Sequence, residues 1–309
     1  MVGKTASEDR ETQFPLAYDH DIYVNHPRSS DLAAFTRERA HRHYLNFGLE
    51  EGRVCSKVKS RKDFIGLIPS KQPILEIGPF FSPAFKRPTS DVHYLDCLST
   101  EAMKKRAEKI KGADLDGIPH IDYVWSGQPY ADLIERKFKA IYSSHNIEHQ
   151  PCLITHLHDL ESVLDEEGAV FLAVPDKRYC FDHYFHETTL TDVVEAWVMN
   201  RKQNRLKDIL DHRFFPAHND PVRHWRGDHG ANTGLTPLNK GQGAVFLSEL
   251  EQLRSSNEYN DVHVWKFTPV VFKVLFENLF NLKLTRLRIV RIYPTVKNSN
   301  EFYVVMMLG

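Results

Sequence analysis

Short apolar runs alternate with amphipathic stretches through the middle of the chain. The apolar runs have strand length and occupy residues 74–77, 92–95, 121–124, 140–142 and 169–174. Helical periodicity separates them, notably over residues 100–111 and 152–164, and Gly168 predicts a turn before the last of these strands. Strands and helices that alternate at this spacing are typical of crossover βαβ units and predict a parallel α/β sheet.

The C-terminal part of the chain extends this pattern. Thr268 and Pro269 predict the start of a helix to Leu279, because threonine can cap a helix and proline fits its first turn. Two further strands are predicted at residues 284–293 and 301–308. Together these elements predict an α/β fold with a Rossmann-like, seven-stranded, mostly parallel sheet and helices on both faces.

Two segments depart from this alternation of strands and helices. Residues 1–60 are predicted to form a helical N-terminal extension, in which Asp31 caps a helix over residues 32–47 and Gly48 ends it. Residues 61–309 form the main predicted domain. Within it, residues 180–262 are polar, rich in histidine and irregular, with helical periodicity only around residues 190–210. We interpret this segment as an insertion or lid that follows the fifth strand.

Composition narrows the possible partners. Forty Lys and Arg residues against forty-one Asp and Glu give a net charge of −1, which offers no support for nucleic-acid binding. No apolar run approaches the roughly 18 residues that span a bilayer, and residues 1–14 lack the apolar segment of a secretory signal. The four cysteines have no C-x-x-C spacing. We therefore expect a cytoplasmic protein with reduced thiols.

The loop after the first strand indicates which cofactor the sheet could bind. Glu76 and Gly78 stand at the end of that strand, and Pro79 and Pro83 follow. A dinucleotide pyrophosphate needs backbone N–H groups at this loop, and proline has none, so NAD and FAD are disfavoured. A cofactor that presents an amino acid and a sulfonium has no such requirement.

Two later strand ends offer further contacts for a nucleoside. Asp96 ends the second strand, eighteen residues after Gly78, where a carboxylate can accept hydrogen bonds from both hydroxyls of a ribose. Trp125 and Ser126 follow the third strand and could flank an adenine ring. The alternatives are that Asp96 is an ordinary turn residue or a helix cap with Ser99, and that Trp125 is half-buried in a surface turn.

In sequence and order, these features resemble the class I S-adenosylmethionine-dependent methyltransferases. The resemblance covers about residues 74–179 and includes the stretches FKAIYSSHNIEH at 138–149 and LDEEG at 164–168. It implies S-adenosyl-L-methionine as cofactor. The implied contacts are Glu76, Gly78 and the neighbouring Pro79 at the methionine end, Asp96 on the ribose, Trp125 and Ser126 near the adenine, and Ser144 and His145 at the edge of the fourth strand. The first loop departs from the family, whose members usually have two or three glycines there.

A second resemblance lies in the N-terminal extension. The sequence HYLNFGLEEGR at residues 43–53 is similar to an H-Y-x-x-x-G-x-x-E-G-R element found beside bacterial glycosyltransferases and surface-polysaccharide proteins. It implies a role in glycan modification. The alternative is that Tyr44, Phe47 and Leu49 simply pack this helix on the sheet.

Methyl transfer to oxygen needs a base for the hydroxyl proton, and histidine suits that role near neutral pH. The chain has 17 histidines. His145 and His149 follow the fourth strand at a spacing that would place them on one face of a helix, where Glu148 could orient one ring. In the insertion, Asp182 and His183 are the preferred pair of orienting acid and base, and His229 is a further candidate base.

Two chemical interpretations of the histidine-rich insertion remain open. In the first, His183 or His229 acts as general base without a metal. In the second, two or three histidines together with Asp211, Asp220 or Asp228 bind a divalent ion that lowers the pKa of an acceptor hydroxyl. Because no spacing matches a closed zinc site, we favour the first and predict no metal.

The sequence therefore predicts an enzyme that uses S-adenosyl-L-methionine to methylate a hydroxyl of a sugar or glycan-related acceptor, with a histidine as general base. A small-molecule O- or N-methyltransferase unrelated to glycans is one alternative. The other is a non-catalytic cofactor-binding module of a glycan-assembly complex, which the glycine-poor first loop would suit. The acceptor, the methylated atom and the oligomeric state are not predicted.

Overall fold

The computed structural model describes residues 17–110, 112–255 and 260–309. Three parts of the predicted elements lie outside the described residues: residues 1–16 of the N-terminal extension, Lys111 at the end of the predicted helix 100–111, and residues 256–259 of the insertion. In the described ranges, no helix is both long and apolar enough to cross a membrane.

Within the described chain, seven strands form one sheet in the order β3-β2-β1-β4-β5-β7-β6. They are β1 (Ile74–Ile77), β2 (Val92–Asp96), β3 (Tyr123–Val124), β4 (Phe138–Ser144), β5 (Leu164–Pro175), β6 (Leu287–Tyr293) and β7 (Glu301–Leu308). Strands β1 to β5 pair in parallel, and β7 runs antiparallel to both β5 and β6. The predicted Rossmann-like, seven-stranded and mostly parallel sheet is confirmed.

The α-helices of the described residues are α1 (His20–Asn25), α2 (Arg37–His43), α3 (Arg61–Ile65), α4 (Thr100–Ala107), α5 (Tyr130–Leu133), α6 (Leu153–Val163), α7 (Leu190–Val198), α8 (Leu206–Phe214), α9 (Pro221–His224), α10 (Lys240–Ser255) and α11 (Pro269–Asn281). The side chain of Thr268 accepts a hydrogen bond from the Val271 N–H, so the predicted cap of α11 is confirmed. Helices α7 to α10 lie in the predicted insertion.

Both faces of the sheet are buried. Leu75 belongs to the core cluster that contains Phe272 of α11, whereas Ile74 belongs to a second cluster that contains Phe64 of α3. Successive side chains of a strand point to opposite faces, so a strand packed on both sides must be apolar at nearly every position. Glu76 is the one polar residue of β1, and its carboxyl group is buried on the same face as Ile74. A buried carboxyl group needs hydrogen-bond partners.

The register of the parallel strands brings their carboxyl ends to one edge. Ile77 pairs with Leu95 on one side and with Ser143 on the other. The residues that follow β1, β2 and β4 therefore lie together. Between β1 and β4 the order of the strands in the sheet changes direction, since β2 and β3 lie on one side of β1 and β4 and β5 on the other. This is the place where ligands bind in open α/β sheets.

Several predicted boundaries are wrong. Strand β5 begins at Leu164, so Gly168 lies inside the strand rather than in a turn. A Cβ at Gly168 would lie 2.9 Å from the Phe138 carbonyl oxygen, which explains why only glycine fits there. The described chain between Ile77 and Val92 contains turns and bends but no helix, so the first βαβ unit lacks its crossover helix.

The N-terminal extension also differs from the prediction. The predicted helix over residues 32–47 is a 3₁₀ helix (Pro27–Leu32), then α2, then a π-helical turn (Tyr44–Gly48). Thr36 caps α2, whereas Asp31 forms an ion pair with Arg53. The buried Tyr44 packs in a separate N-terminal cluster and not on the sheet. Phe47 is 55% exposed.

Candidate active site

A pocket of about 360 Å³ lies at the carboxyl ends of β1 and β4. It is lined by Arg61 and Ile65 of α3, by Tyr142, Ser144 and His145 at the end of β4, and by Glu76, Ile77, Gly78, Pro79, Ser82, Pro83 and Ala84 of β1 and its loop. Five of the predicted site residues therefore share one pocket: Glu76, Gly78, Pro79, Ser144 and His145. Its size is within the range of small-ligand sites.

Glu76 holds the loop that forms one wall of this pocket. Its two carboxylate oxygens accept hydrogen bonds from the backbone N–H groups of Ala84, at 2.7 Å, and Phe85, at 3.1 Å. The residue is only 3% exposed. Burial raises the pKa of Glu76 to about 7, even though both hydrogen bonds act to lower it. The pocket therefore contains an acid that titrates near neutral pH.

The loop after β1 has few backbone donors left for a phosphate. The Gly78 N–H donates to the Leu95 carbonyl, and the Ser82 N–H donates to the Pro79 carbonyl. Two further N–H groups are bonded to Glu76, and Pro79 and Pro83 have none. Because no helix begins in the described residues between β1 and β2, the helix N-terminus that would bind a pyrophosphate is missing too.

Backbone conformation at the pocket explains the single glycine. Gly78 has φ +70°, a left-handed conformation, and a Cβ there would lie 3.4 Å from the side-chain amide nitrogen of Asn146. Phe80 and His145 also have positive φ, at +44° and +49°. Left-handed residues other than glycine are costly and are found where the surrounding structure holds them in place.

Asp96, Trp125 and Ser126 lie along the same edge of the sheet but do not line the 360 Å³ pocket. Asp96 Oδ1 accepts a hydrogen bond from the Leu98 N–H at 2.9 Å, and burial raises the pKa of Asp96. The Trp125 N–H donates to the Asp96 carbonyl, which joins the ends of β2 and β3. The Trp125 indole and the Ser126 hydroxyl both donate to Gln128.

His145 connects the pocket to the last strand. Its Nε2 lies 3.0 Å from Glu301 Oε2, and the same carboxylate accepts hydrogen bonds from Arg61 and from the Tyr303 hydroxyl. Burial alone would raise the pKa of Glu301, but the hydrogen bonds from His145 and Arg61 outweigh it and lower that pKa to about 2. An ionised carboxylate can only accept, so His145 Nε2 must donate, and in the neutral ring Nδ1 is the acceptor.

A second polar group of side chains adjoins His145. Glu148 Oε1 lies 3.7 Å from Nε2 of His149, 3.7 Å from Nε2 of His263 and 3.8 Å from Nδ1 of His145. The predicted helix that would place His145 and His149 on one face is wrong, because His145 has positive φ and only a 3₁₀ turn (Ile147–His149) follows. The two rings nevertheless meet at Glu148.

Carboxylates lie behind both rings of this group. His149 Nδ1 lies 2.9 Å from Asp261 Oδ1, and His263 Nδ1 lies 2.5 Å from Asp182 Oδ2. Contact with His149 is the largest cause that lowers the pKa of Asp261 to about 2. Burial would raise the pKa of Asp182, but the charge of His263 and its hydrogen bond outweigh burial and lower that pKa.

The predicted pairing of Asp182 with His183 is wrong. The Asp182 carboxylate contacts His263, whereas His183 Nδ1 lies 2.7 Å from the Arg178 carbonyl oxygen. The two residues are consecutive in a turn, and their side chains point to different neighbours. The His183 ring stacks on His229 with 3.7 Å between ring centroids, and neither ring lines the 360 Å³ pocket.

Sequence reasoning missed Arg61, Glu301 and Asp261. Arg61 and Glu301 are 240 positions apart in the chain, so no local pattern could connect them. Asp261 lies two residues before His263, and that short spacing was the one available signal. Strand β7 is an apolar run in the sequence, so Glu301 at its first position gives no separate signal.

Comparison with known proteins gives a limited result. No protein-family model matches the chain, and no curated protein matches it. The structure of the glycopeptide N-methyltransferase MtfA complexed with sinefungin is 19% identical, with a TM-score of 0.26; the match covers 35% of this chain and 49% of that chain. The chain thus spans about half the length of that protein.

Two solved structures are matched over most of their length. The CcbJ methyltransferase from Streptomyces caelestis is 10% identical, and the match covers 85% of this chain and 95% of that chain with a TM-score of 0.40. A structure named for zinc-dependent alcohol dehydrogenases, from Rhodobacter sphaeroides, is 13% identical, with coverages of 81% and 90% and a TM-score of 0.39. At these identities and scores the likenesses decide neither activity nor substrate.

Proposed function

We propose that the chain is an S-adenosyl-L-methionine-dependent methyltransferase that methylates a hydroxyl group of a sugar or glycan-related acceptor. The observation that carries this proposal is the buried carboxyl group of Glu76 in a pocket whose loop has few free N–H donors. Such a pocket opposes a phosphate-bearing ligand and favours one with an ammonium and a sulfonium group. The sheet order, with one antiparallel strand next to β5, is that of a Rossmann-like methyltransferase fold.

The residues that would hold the cofactor follow from the pocket and the sheet edge. Glu76, once deprotonated, would accept from the ammonium group, and Gly78 would let the backbone approach closely. Asp96, on the neighbouring strand, would accept from the ribose hydroxyls. S-adenosyl-L-methionine supplies an electrophilic methyl group, so that an O–C bond forms as the C–S bond breaks and its electron pair stays on sulfur.

His145 is the residue best placed to take the acceptor proton. It lines the pocket, and Glu301 fixes its Nε2 as donor, so that Nδ1 can accept the hydroxyl proton. Arg61 and Tyr303 hold Glu301 in place, as a third group orients the base in other enzymes that use a histidine. Among the predicted catalytic residues, His183 and His229 have lost support because they lie outside the pocket.

The polar character of the neighbouring group supports a polyhydroxylated acceptor. Glu148 adjoins His145, His149 adjoins Glu148, and Asp261 contacts His149; the imidazole of His149 and the carboxylate of Asp261 are partly exposed, and such groups bind hydroxyl pairs. The N-terminal element with its H-Y-x-x-x-G-x-x-E-G-R sequence is a second support. A Cβ at Gly52 of this element would lie 2.4 Å from the Trp225 side chain, so the element packs directly on the insertion.

The test is a transfer assay with methyl-labelled S-adenosyl-L-methionine and a panel of nucleotide sugars, oligosaccharides and unrelated small-molecule alcohols and amines. We expect label on a sugar hydroxyl, and we expect His145→Ala to lose at least about a hundredfold in turnover. His158→Ala is the matched control, because that exposed ring bonds to the Leu284 carbonyl away from the pocket. Cofactor binding without transfer to any acceptor would instead favour a non-catalytic binding module.

A further inference from the structure

Glu148 is fully buried, and its side chain lacks the partners that a buried carboxylate needs. It is 0% exposed, and neither Oε1 nor Oε2 makes a hydrogen bond within the described residues. The three nitrogens around Oε1 are 3.7 to 3.8 Å away, which is beyond hydrogen-bond distance. A buried charge without a hydrogen-bonded partner is costly, so this group calls for a cation between the side chains.

We propose that Glu148, His149 and His263 bind a divalent transition-metal ion such as Zn²⁺. One carboxylate oxygen and one nitrogen of each ring lie within 4.8 Å of one another. Two ligands about 2.1 Å from an ion lie roughly 3.4 Å apart at the tetrahedral angle. The observed 3.7 Å separations between Glu148 and the two rings therefore need only a small contraction to coordinate one ion.

The groups behind the two rings match those of metal sites. Histidine ligands commonly donate their second N–H to a carboxylate, which fixes the tautomer and orients the free nitrogen toward the metal. Here Asp261 lies 2.9 Å from Nδ1 of His149, and Asp182 lies 2.5 Å from Nδ1 of His263. Both rings therefore present Nε2 to Glu148. Their planes are nearly perpendicular, at 88°, which lets two in-plane lone pairs meet at one point.

The other histidine cluster lacks this geometry. His183, His224 and His229 also lie close enough to be considered as ligands. However, His183 and His229 are stacked with planes 12° apart, and nitrogen lone pairs in parallel stacked rings cannot both point to one ion. His224 Nδ1 lies 2.9 Å from His229 Nδ1, a distance at which one ring donates to the other. This cluster is held together by hydrogen bonds and stacking.

The site also suggests a role, which rests on the proposed function. Two imidazoles and one carboxylate leave open positions on the ion, as in catalytic metal sites. Glu148 lies 3.8 Å from Nδ1 of His145, so an acceptor hydroxyl on the ion would be next to the pocket. The ion would lower the hydroxyl pKa, and His145 would take the proton. This replaces the metal-free site that the sequence favoured.

The experiment measures metal binding directly, without cofactor or acceptor. The full chain is stripped with a chelator, dialysed and titrated with ZnCl₂ and with MnCl₂ by calorimetry, and bound metal is counted by mass spectrometry. We expect one Zn²⁺ per chain with a dissociation constant below about 10 μM. Failure to bind Zn²⁺ or Mn²⁺ at 100 μM overturns the site, even if S-adenosyl-L-methionine binds normally.

Variants assign the binding to these residues. Glu148→Gln and His149→Ala should each weaken Zn²⁺ binding at least about a hundredfold, and Asp261→Asn should weaken it about tenfold. The Asp261 side chain is 49% exposed, so its variant should fold even if Glu148→Gln does not. His224→Ala, from the other cluster, is the control and should bind Zn²⁺ as the unaltered chain does. Binding that survives His149→Ala and Asp261→Asn but disappears in His224→Ala would refute the assignment.

Discussion

Raising the pH should destabilise the folded chain through Glu76. This carboxyl group has a pKa of about 7 in the folded state because it is buried, against 4.5 in an unfolded chain. Between these values the folded state keeps a proton that the unfolded state has already released. The contribution of Glu76 to stability is therefore largest below pH 4.5, falls as the pH rises toward 7, and is constant above that.

The size of this effect follows from the two pKa values. Their difference, 7 minus 4.5, is 2.5, and each pKa unit corresponds to 1.36 kcal/mol. Glu76 should therefore contribute a loss of roughly 3 kcal/mol in the free energy of unfolding between pH 4 and pH 8. Solvent screening hardly reduces this free energy, because Glu76 is only 3% exposed.

The assay compares denaturant unfolding of three chains at pH 4, 5, 6, 7 and 8. Glu76→Gln removes the titration and keeps the shape of the side chain, at the constant cost of one lost acceptor for a loop N–H. Glu108→Gln is the control, because Glu108 is exposed at the end of α4. The difference between the unaltered chain and Glu76→Gln should change by roughly 3 kcal/mol across the series, and the control should stay parallel to the unaltered chain.

Parallel pH profiles for the unaltered chain and Glu76→Gln would refute this reasoning, since they would show that Glu76 does not hold a proton near neutral pH. The same titration links to the proposed cofactor. A ligand ammonium beside Glu76 lowers its pKa, so binding at pH 7 should release the proton from the roughly half of the chains in which Glu76 still carries it. Calorimetry in two buffers of different ionisation enthalpy detects that release, and Glu76→Gln should abolish it.

Three further variants test other parts of the site. Gly78→Ala should lower the free energy of unfolding by about 1–2 kcal/mol, because φ is +70° at this position. An unchanged denaturation midpoint would contradict this strain. Glu301→Gln should reduce turnover about a hundredfold at saturating cofactor, because His145 loses the carboxylate that fixes its tautomer. Unchanged turnover would exclude a role of Glu301 in orienting His145. His183→Ala should keep turnover within about twofold, because the His183 ring contacts the Arg178 carbonyl and lies outside the pocket. A tenfold loss of turnover would restore His183 as a candidate base.

The sheet could be predicted from sequence because its signals are local. The central strands of the sheet are buried on both faces, so each is a short apolar run between polar segments, as in Ile74–Ile77 and in the antiparallel β7. The cap of α11 likewise depends on two consecutive residues, Thr268 and Pro269. Boundaries that depend on tertiary contacts were not predictable. Gly168 looks like a turn residue in sequence, but it lies inside β5, at a position where the Phe138 carbonyl leaves no space for a Cβ.

In the candidate site, too, some residues could be predicted from local sequence and others could not. The residues at the ends of β1 and β4 could be named in advance because they follow strands directly, as Gly78 and His145 do. The partner of each histidine could not, because it lies far along the chain: Glu301 for His145 and Asp182 for His263. Neighbours in sequence were a poor guide, since Asp182 and His183 point to different partners.

The most direct test of the central claim is calorimetric titration of the chain with S-adenosyl-L-methionine and its demethylated product. The pocket should bind both, and Asp96→Ala should weaken binding at least about tenfold while circular dichroism shows an unchanged fold. Absence of any heat at about 1 mM ligand, where even −4 kcal/mol of binding free energy registers, would contradict the claim that this pocket is a cofactor site.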